Sequence, residues 1–158
     1  MKHVHLATAL LVRDGTVLLV ASHYPNHAQP LWNLPGGRQR EGELLAQTAE
    51  RECFEETGIA VTATELAYVS ESYDRGDETH FVNATFVAAV SGNPERPPAS
   101  DGDHVVCVEW VPIASLAERI VVAVVREPLL AYLRGDFLRR YAGFEDAGIT
   151  IRWPRGSV

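Results

Sequence analysis

Residues Gly37 to Ile59 read GRQREGELLAQTAERECFEETGI. Within seven residues of this stretch stand four glutamates, Glu50, Glu52, Glu55 and Glu56. Strong helix formers lead into them, from Leu44, Leu45 and Ala46 to Gln47 and Ala49. Gly58 is placed where a glycine commonly ends a helix, so the pattern predicts a helix over roughly 44–57. On it Glu52, Glu55 and Glu56 stand at i, i+3 and i+4, which makes them surface neighbours. They occupy the last two turns, where the helix dipole disfavours acids. Glu52 and Glu56 also flank the Leu45/Ala49/Cys53 stripe that should face the core. A helix needing only solubility would carry its acids in the first turn and on the far face. A hard divalent cation held by several carboxylates would account for the placement. A solvated acidic face is the commoner meaning of clustered glutamates alone, so the decision rests on what surrounds them.

Five residues separate Gly37 from Glu43 and seven separate Glu43 from Arg51; then come Glu52, Cys53, Phe54, Glu55, Glu56, Thr57, Gly58 and Ile59. This spacing resembles the Nudix box, G, five residues, E, seven residues, R-E-U-x-E-E-x-G-U, where U is aliphatic. Every fixed position is matched. Cys53 at a U position is the one soft departure, and a buried thiol behaves as a small hydrophobe. Pro35-Gly36 ahead of the box and Glu109-Trp110-Val111-Pro112 after it also look like family features. The resemblance implies a three-layer α/β/α sandwich around a mixed sheet. It implies hydrolysis of a nucleoside diphosphate linked to another moiety, with Mg²⁺, or Mn²⁺, as cofactor. It places Glu52, Glu55, Glu56 and the Gly37 carbonyl at the metal and makes Arg51 and Glu43 a supporting pair. A fully helical Glu43 would lie ~12 Å from Arg51 along the axis, so their contact requires Glu43 to sit on the incoming loop. The acid that activates water is left open, with Glu71, Asp101, Asp103 and Glu109 as candidates outside the box.

Composition agrees with this class. A chain of 158 residues, 46% hydrophobic, fits a single domain over 1–158 with a real core. The net charge of −7 argues against a nucleic-acid polymer as partner, since such affinity comes from Lys and Arg on phosphates. An anionic substrate then needs cations or local arginines at the site. Two cysteines, Cys53 and Cys107, make no disulfide framework. Both lie among apolar neighbours and are expected to be buried and reduced, as in a cytoplasmic protein. No run approaches the ~18 apolar residues of a membrane span.

Along the chain, Val4–Val12 and Thr16–Ala21 flank Asp14-Gly15 and are expected to pair as a buried hairpin. Residues 23–31 form a loop and 32–34 a short extended piece. Val61–Tyr73 and Thr79–Val90 form a long hairpin turning at 74–77. A loop rich in proline spans 91–103. A strand over His104–Val111 leads to a short helix over Ile113–Glu118, with Pro112 near its start. A helix is expected over Arg126–Tyr141, weakened at Gly135, and an edge strand over 149–153.

Specificity lies outside the box. Trp32, Tyr73, Phe81 and Tyr24 are candidates to stack on a base, and Arg38, His80, Arg40 and Arg75 to meet phosphates. A proline past the box, typical of ADP-ribose-type members, is absent from 60 to 93. The tyrosine of dinucleoside-polyphosphate types and the upstream coenzyme A signature are also missing. The lean is to a nucleoside triphosphate or related small nucleotide, handled by a monomer or homodimer. Two rivals are a nucleotide sensor without turnover, which would commonly have lost box glutamates, and an isoprenoid diphosphate isomerase, which would need a catalytic cysteine.

Overall fold

A computed structural model describes all residues except 26, 92–103, 137–139, 145–150 and 153–158. Its strands are β1 (Lys2–Leu10), β2 (Val12–Arg13), β3 (Thr16–Ser22), β4 (Leu31–Asn33), β5 (Gly36–Arg38), β6 (Val61–Asp74), β7 (Thr79–Val90), β8 (Val105–Pro112), β9 (Tyr141–Phe144) and β10 (Ile151–Arg152). The helices are α1 (Leu45–Thr57), α2 (Leu116–Arg119), entered through a 3₁₀ turn at Ile113–Ser115, and α3 (Ala123–Leu133). A six-stranded mixed sheet runs β10-β9-β6-β7-β1-β5, with β7 parallel to β1 and β6 parallel to β9. A smaller antiparallel sheet has β3 between β8 on one side and β2 and β4 on the other.

Strand periodicity sorts the central sheet into two faces. Ala7 and Ala9 of β1 turn to one side and join Ala49 and Cys53 of α1, with Leu11, Leu18, Val61 and Ala88, in one apolar cluster. Leu10 turns the other way and joins Ala67, Tyr68, Leu116, Ile120 and Leu129 of α3 in a second. The sheet therefore lies between α1 and α3, as the expected α/β class requires.

The long hairpin matches its expected strands closely. Asp74 explains the turn: its Oδ1 accepts from the Gly76 and Asp77 N–H groups at 3.0 and 3.2 Å. The first hairpin is a correction. β1 pairs with β7 and β5, not with β3. Only Val12–Arg13 reaches back to Thr16–Val17, around Asp14 and Gly15 at φ 51° and 72°. Buried Leu11 marks the crossing from one sheet to the other. The helix expected over Arg126–Tyr141 is also corrected. It begins at Ala123 and ends at Leu133, and Gly135 (φ 77°) takes the left-handed position that stops it. Tyr141 then starts β9. Phe137, Leu138 and Arg139 lie outside the described residues, as does the 92–103 part of the proline-rich loop. Ile151–Arg152 does form an edge strand, on β9. Cys107, expected to be buried, is exposed along with Val106 and Val108, because β8 pairs with β3 alone and this end of it packs under nothing described. No helix among the described residues is long and apolar enough to cross a membrane.

Candidate active site

α1 carries the site and its two ends fix it. Gln47 Oε1 accepts the Leu44 N–H at 2.8 Å, which satisfies a donor at the helix start. Gly58 closes the other end at φ 75°, its N–H donating to Phe54 O at 2.9 Å. Gly42 (φ 84°) turns the chain so that Glu43 stays on the incoming loop. From there both Glu43 oxygens accept from Arg51, Nε to Oε2 and Nη2 to Oε1, each at 2.9 Å. This fork-to-carboxylate pair is the geometry arginine makes best. The guanidinium holds the Glu43 carboxyl below its ordinary range, and Glu43 and Glu52 in turn push Arg51 up.

Arg51 spends its remaining N–H groups on the site. Nη1 donates to Glu52 Oε1 at 2.9 Å and to Glu55 Oε2 at 3.1 Å, and Nη2 to the Arg38 carbonyl at 3.1 Å. Arg40 lies 3.6 Å from the other Glu55 oxygen. Glu56 turns inward. Its Oε1 accepts from the Gly36 N–H at 2.8 Å, and its Oε2 lies 3.3 Å from His104 Nε2. Its side chain is only 3% exposed. Burial, and then the neighbouring Glu52 and Glu55 carboxylates, push its carboxyl up to about 8. Gly37 explains how Glu52 reaches the same place, since a Cβ there would lie 2.5 Å from the Glu52 carboxyl carbon.

Among the described residues no three His, Cys, Asp or Glu side chains converge as a finished ion cage. Arg51 holds two of the acids and the Gly36 amide the third. The donor set nonetheless fits a hard cation: three carboxylates on one helix end, one of them buried, against a glycine backbone.

A cleft of about 600 Å³ opens beside Gly36 and Gly37. Its floor is the α3 face of the central sheet, where Thr8, Ser70, Ser72, Phe81, Asn83 and Thr85 point out. Its walls come from Trp32, from Tyr24 and Leu31, and from Val122, Val124 and Val125. Of the residues singled out in the sequence, Tyr24, Trp32, Gly37, Tyr73 and Phe81 line it. His80 does not reach it. It sits on the opposite face, 2.7 Å from Glu71 Oε2 and stacked on Tyr73 at 4.4 Å between centroids. Arg38 presents its carbonyl to Arg51, and its side chain is not part of the lining. Glu71 is further engaged by the Tyr141 hydroxyl, and Glu109 pairs with Arg119. Asp101 and Asp103 lie outside the described residues. His104, Asn83, Thr8 and Thr85 went unmarked in the sequence because none belongs to a spaced motif; strand register brings the last three to the site, and His104 stands just before β8.

An acid-rich helix end thus stands beside the two glycines of β5 and an aromatic-walled cleft. A family model, the NUDIX domain, matches residues 1–133. Phosphatase NudJ of Escherichia coli K12 is 30% identical over 128 residues, covering 80% of this chain and 78% of that protein. A NUDIX hydrolase from Nitrosomonas europaea superposes with a TM-score of 0.74 at 23% identity, over 89% of this chain and 93% of its own. A MutT NUDIX hydrolase from Burkholderia pseudomallei does so at 0.61 and 28%, over 72% and 86%. The chain belongs to the Nudix hydrolase family, a family of pyrophosphohydrolases.

Proposed function

We propose that the protein hydrolyses a nucleoside diphosphate linked to another moiety, with nucleoside triphosphates and related small nucleotides as the leading class, and that it depends on Mg²⁺ or Mn²⁺. The observation that carries this reading is the adjacency of the Glu52/Glu55/Glu56 cluster to the Gly36–Gly37 end of the cleft. Glu52, Glu55, Glu56 and the Gly37 carbonyl are the groups that would hold the cation. Bound there, it would neutralise phosphate charge and acidify water.

The chain supplies the rest. Arg51, fixed by Glu43, orients Glu52 and Glu55, so that the acids stand in place before substrate arrives. The apolar walls exclude water from the head group, while the diphosphate stays beside Gly36 and Gly37. In the reaction a water oxygen bonds to phosphorus, the P–O anhydride bond breaks, and the leaving phosphate keeps the electron pair. The water's proton passes to a carboxylate. Glu71 is engaged by His80 and Tyr141 and Glu109 by Arg119, whereas Glu56 bonds the Gly36 N–H and Glu52 packs on Gly37, both part of the cleft lining, which favours an acid of the box for this step. The two free thiols suit a reducing cytoplasm. Cys53 is buried behind α1 with its thiol pushed up to about 11 by burial, a poor group for an isomerase's proton transfer.

A nucleotide screen with Mg²⁺, read by phosphate release after phosphatase coupling, tests this. Mg²⁺-dependent turnover of at least one nucleotide is expected. No turnover of any nucleotide or nucleotide-linked diphosphate would overturn it.

A further inference from the structure

The central sheet carries a polar cluster on each face. On the cleft face Thr8, Asn83 and Thr85 bond among themselves. On the other face His3 of β1 and His80 of β7 are register partners in the parallel pair, so their rings leave the sheet side by side. This is the face on which Ala7 and Ala9 of β1 meet α1. Ala7, the register partner of Gly37, lies further along β1, which puts the two histidines ~13 Å along the strand from the glycine beside the α1 acids.

The His3 and His80 Nδ1 atoms face each other at 3.3 Å, with the ring planes crossed at 85°. The neighbours decide where the His80 proton sits. Glu71 Oε2 lies 2.7 Å from His80 Nε2, and Oε1 accepts from the Tyr141 hydroxyl. A carboxylate only accepts, so His80 Nε2 donates, and the neutral ring turns its Nδ1 lone pair toward His3. Tyr73 stacks on the His80 ring at 4.4 Å between centroids and holds its plane. A far nitrogen bonded to a carboxylate and a near nitrogen left to bind is the arrangement that orients metal-ligating histidines. Two nitrogens bound to one tetrahedral cation at about 2.0–2.1 Å stand about 3.3–3.4 Å apart, and His3 and His80 are already at that spacing. His3 is exposed and His80 half-buried, so a cation reaches the pair from solvent. We infer that His3 and His80 form a site for a divalent transition-metal cation of the Zn²⁺, Ni²⁺ or Cu²⁺ class, with Glu71 as the positioning residue of the His80 ring. Imidazole nitrogen suits these ions, whereas Mg²⁺ prefers oxygen. No third His, Cys, Asp or Glu completes a cage among the described residues, so water takes the remaining positions. Bound there, the cation ties the start of β1 to β7. The inference is independent of the hydrolase reading.

The test is Zn²⁺ titration into the full chain by calorimetry, with Mg²⁺ in large excess to occupy carboxylate sites. The wild type is expected to bind Zn²⁺ at a site that His3→Ala and His80→Ala each weaken at least about tenfold, and Glu71→Gln about tenfold to a hundredfold. His104→Ala, which removes the histidine beside Glu56, should leave it unchanged. Zn²⁺ should also raise the melting temperature of the wild type more than that of either histidine variant. Cu²⁺ gives a separate reading: its paramagnetic resonance spectrum should show coupling to two nitrogens in the wild type and to fewer in either variant. Metal-free melts check that each variant folds; should His80→Ala fail to, His80→Phe, which keeps a ring on Tyr73, takes its place. No Zn²⁺ binding in excess Mg²⁺, wild-type affinity in either histidine variant, or loss of the site in His104→Ala would overturn the inference. Wild-type affinity in Glu71→Gln would overturn its positioning role.

Discussion

Glu56 is the residue on which burial and charge conflict most. Its carboxylate lies against Gly36, with two more acids on the same helix end. Replacing it with glutamine keeps the hydrogen bond from Gly36 and removes the buried charge. Glu56→Gln and Glu55→Gln should each lower kcat by orders of magnitude, while the metal-free melting temperature stays or rises, since like charges at a helix C-terminus are relieved. Near-wild-type kcat at saturating Mg²⁺ in either variant would remove that residue from the metal site. Thiol chemistry gives a second residue-scale outcome. A thiol reagent should label exposed Cys107 quickly and leave Cys53 untouched until the protein unfolds, because burial holds Cys53 protonated. Labelling of Cys107 should leave turnover unchanged. Rapid modification of Cys53 with loss of activity would point instead to a reactive thiol. The box acids were legible in the sequence because one helix carries them at fixed spacing. Cys107 was misread because an alternating apolar strand looks the same at a sheet edge as at its centre.

At the scale of elements, Pro35 leads from β4 into β5, and the two glycines that open β5 have different reasons to be glycine. A Cβ on Gly36 would lie 2.4 Å from the Ala7 carbonyl oxygen and 2.8 Å from Thr8 Cα. Backbone cannot move aside cheaply, so Gly36→Ala should destabilise the fold. The three atoms nearest a Cβ on Gly37 all belong to the Glu52 carboxyl group, at 2.5–2.8 Å, and that side chain can swing away. Gly37→Ala should therefore melt near the wild type yet lose most of its activity. Equal melting temperatures for the two variants, or full activity in Gly37→Ala, would contradict this. Elements with local causes were readable beforehand: α1 from its stop at Gly58, the β6–β7 hairpin from its Asp74 turn. The partner of β1 was not, because β7 lies some seventy-seven positions away in register (Lys2 beside Thr79) and nothing local specifies that pairing. Gly135 shows the same limit. A glycine inside an apolar helical pattern is a weak helix residue or a stop, and only its φ decides.

For the whole molecule, the sheet separates two polar clusters. One is the cleft network. The other, on the opposite face, links Tyr141, Glu71, His80 and His3. Hydrogen bonds from Tyr141 and His80 hold the Glu71 carboxyl below its ordinary range. A carboxyl whose folded value is depressed adds stability above its unfolded value, and that stability is lost as pH falls through the folded value. Between neutral pH and about 4.5 this contribution should hold, and below it fade. Glu71→Gln should lower the melting temperature at pH 7 and narrow the gap to wild type in stronger acid. A gap that stays constant down to pH 3 would show that the ion pair does not stabilise the fold. Glu71→Gln should leave Mg²⁺-dependent turnover near wild type, since Glu71 does not line the cleft. The role proposed for the α1 acids, serving a divalent cation in diphosphate hydrolysis, is read from turnover of the best nucleotide by wild type and Glu56→Gln, with Mg²⁺ and with excess chelator. Turnover is expected only for wild type with Mg²⁺; equal rates in chelator, or an active Glu56→Gln, would contradict that role.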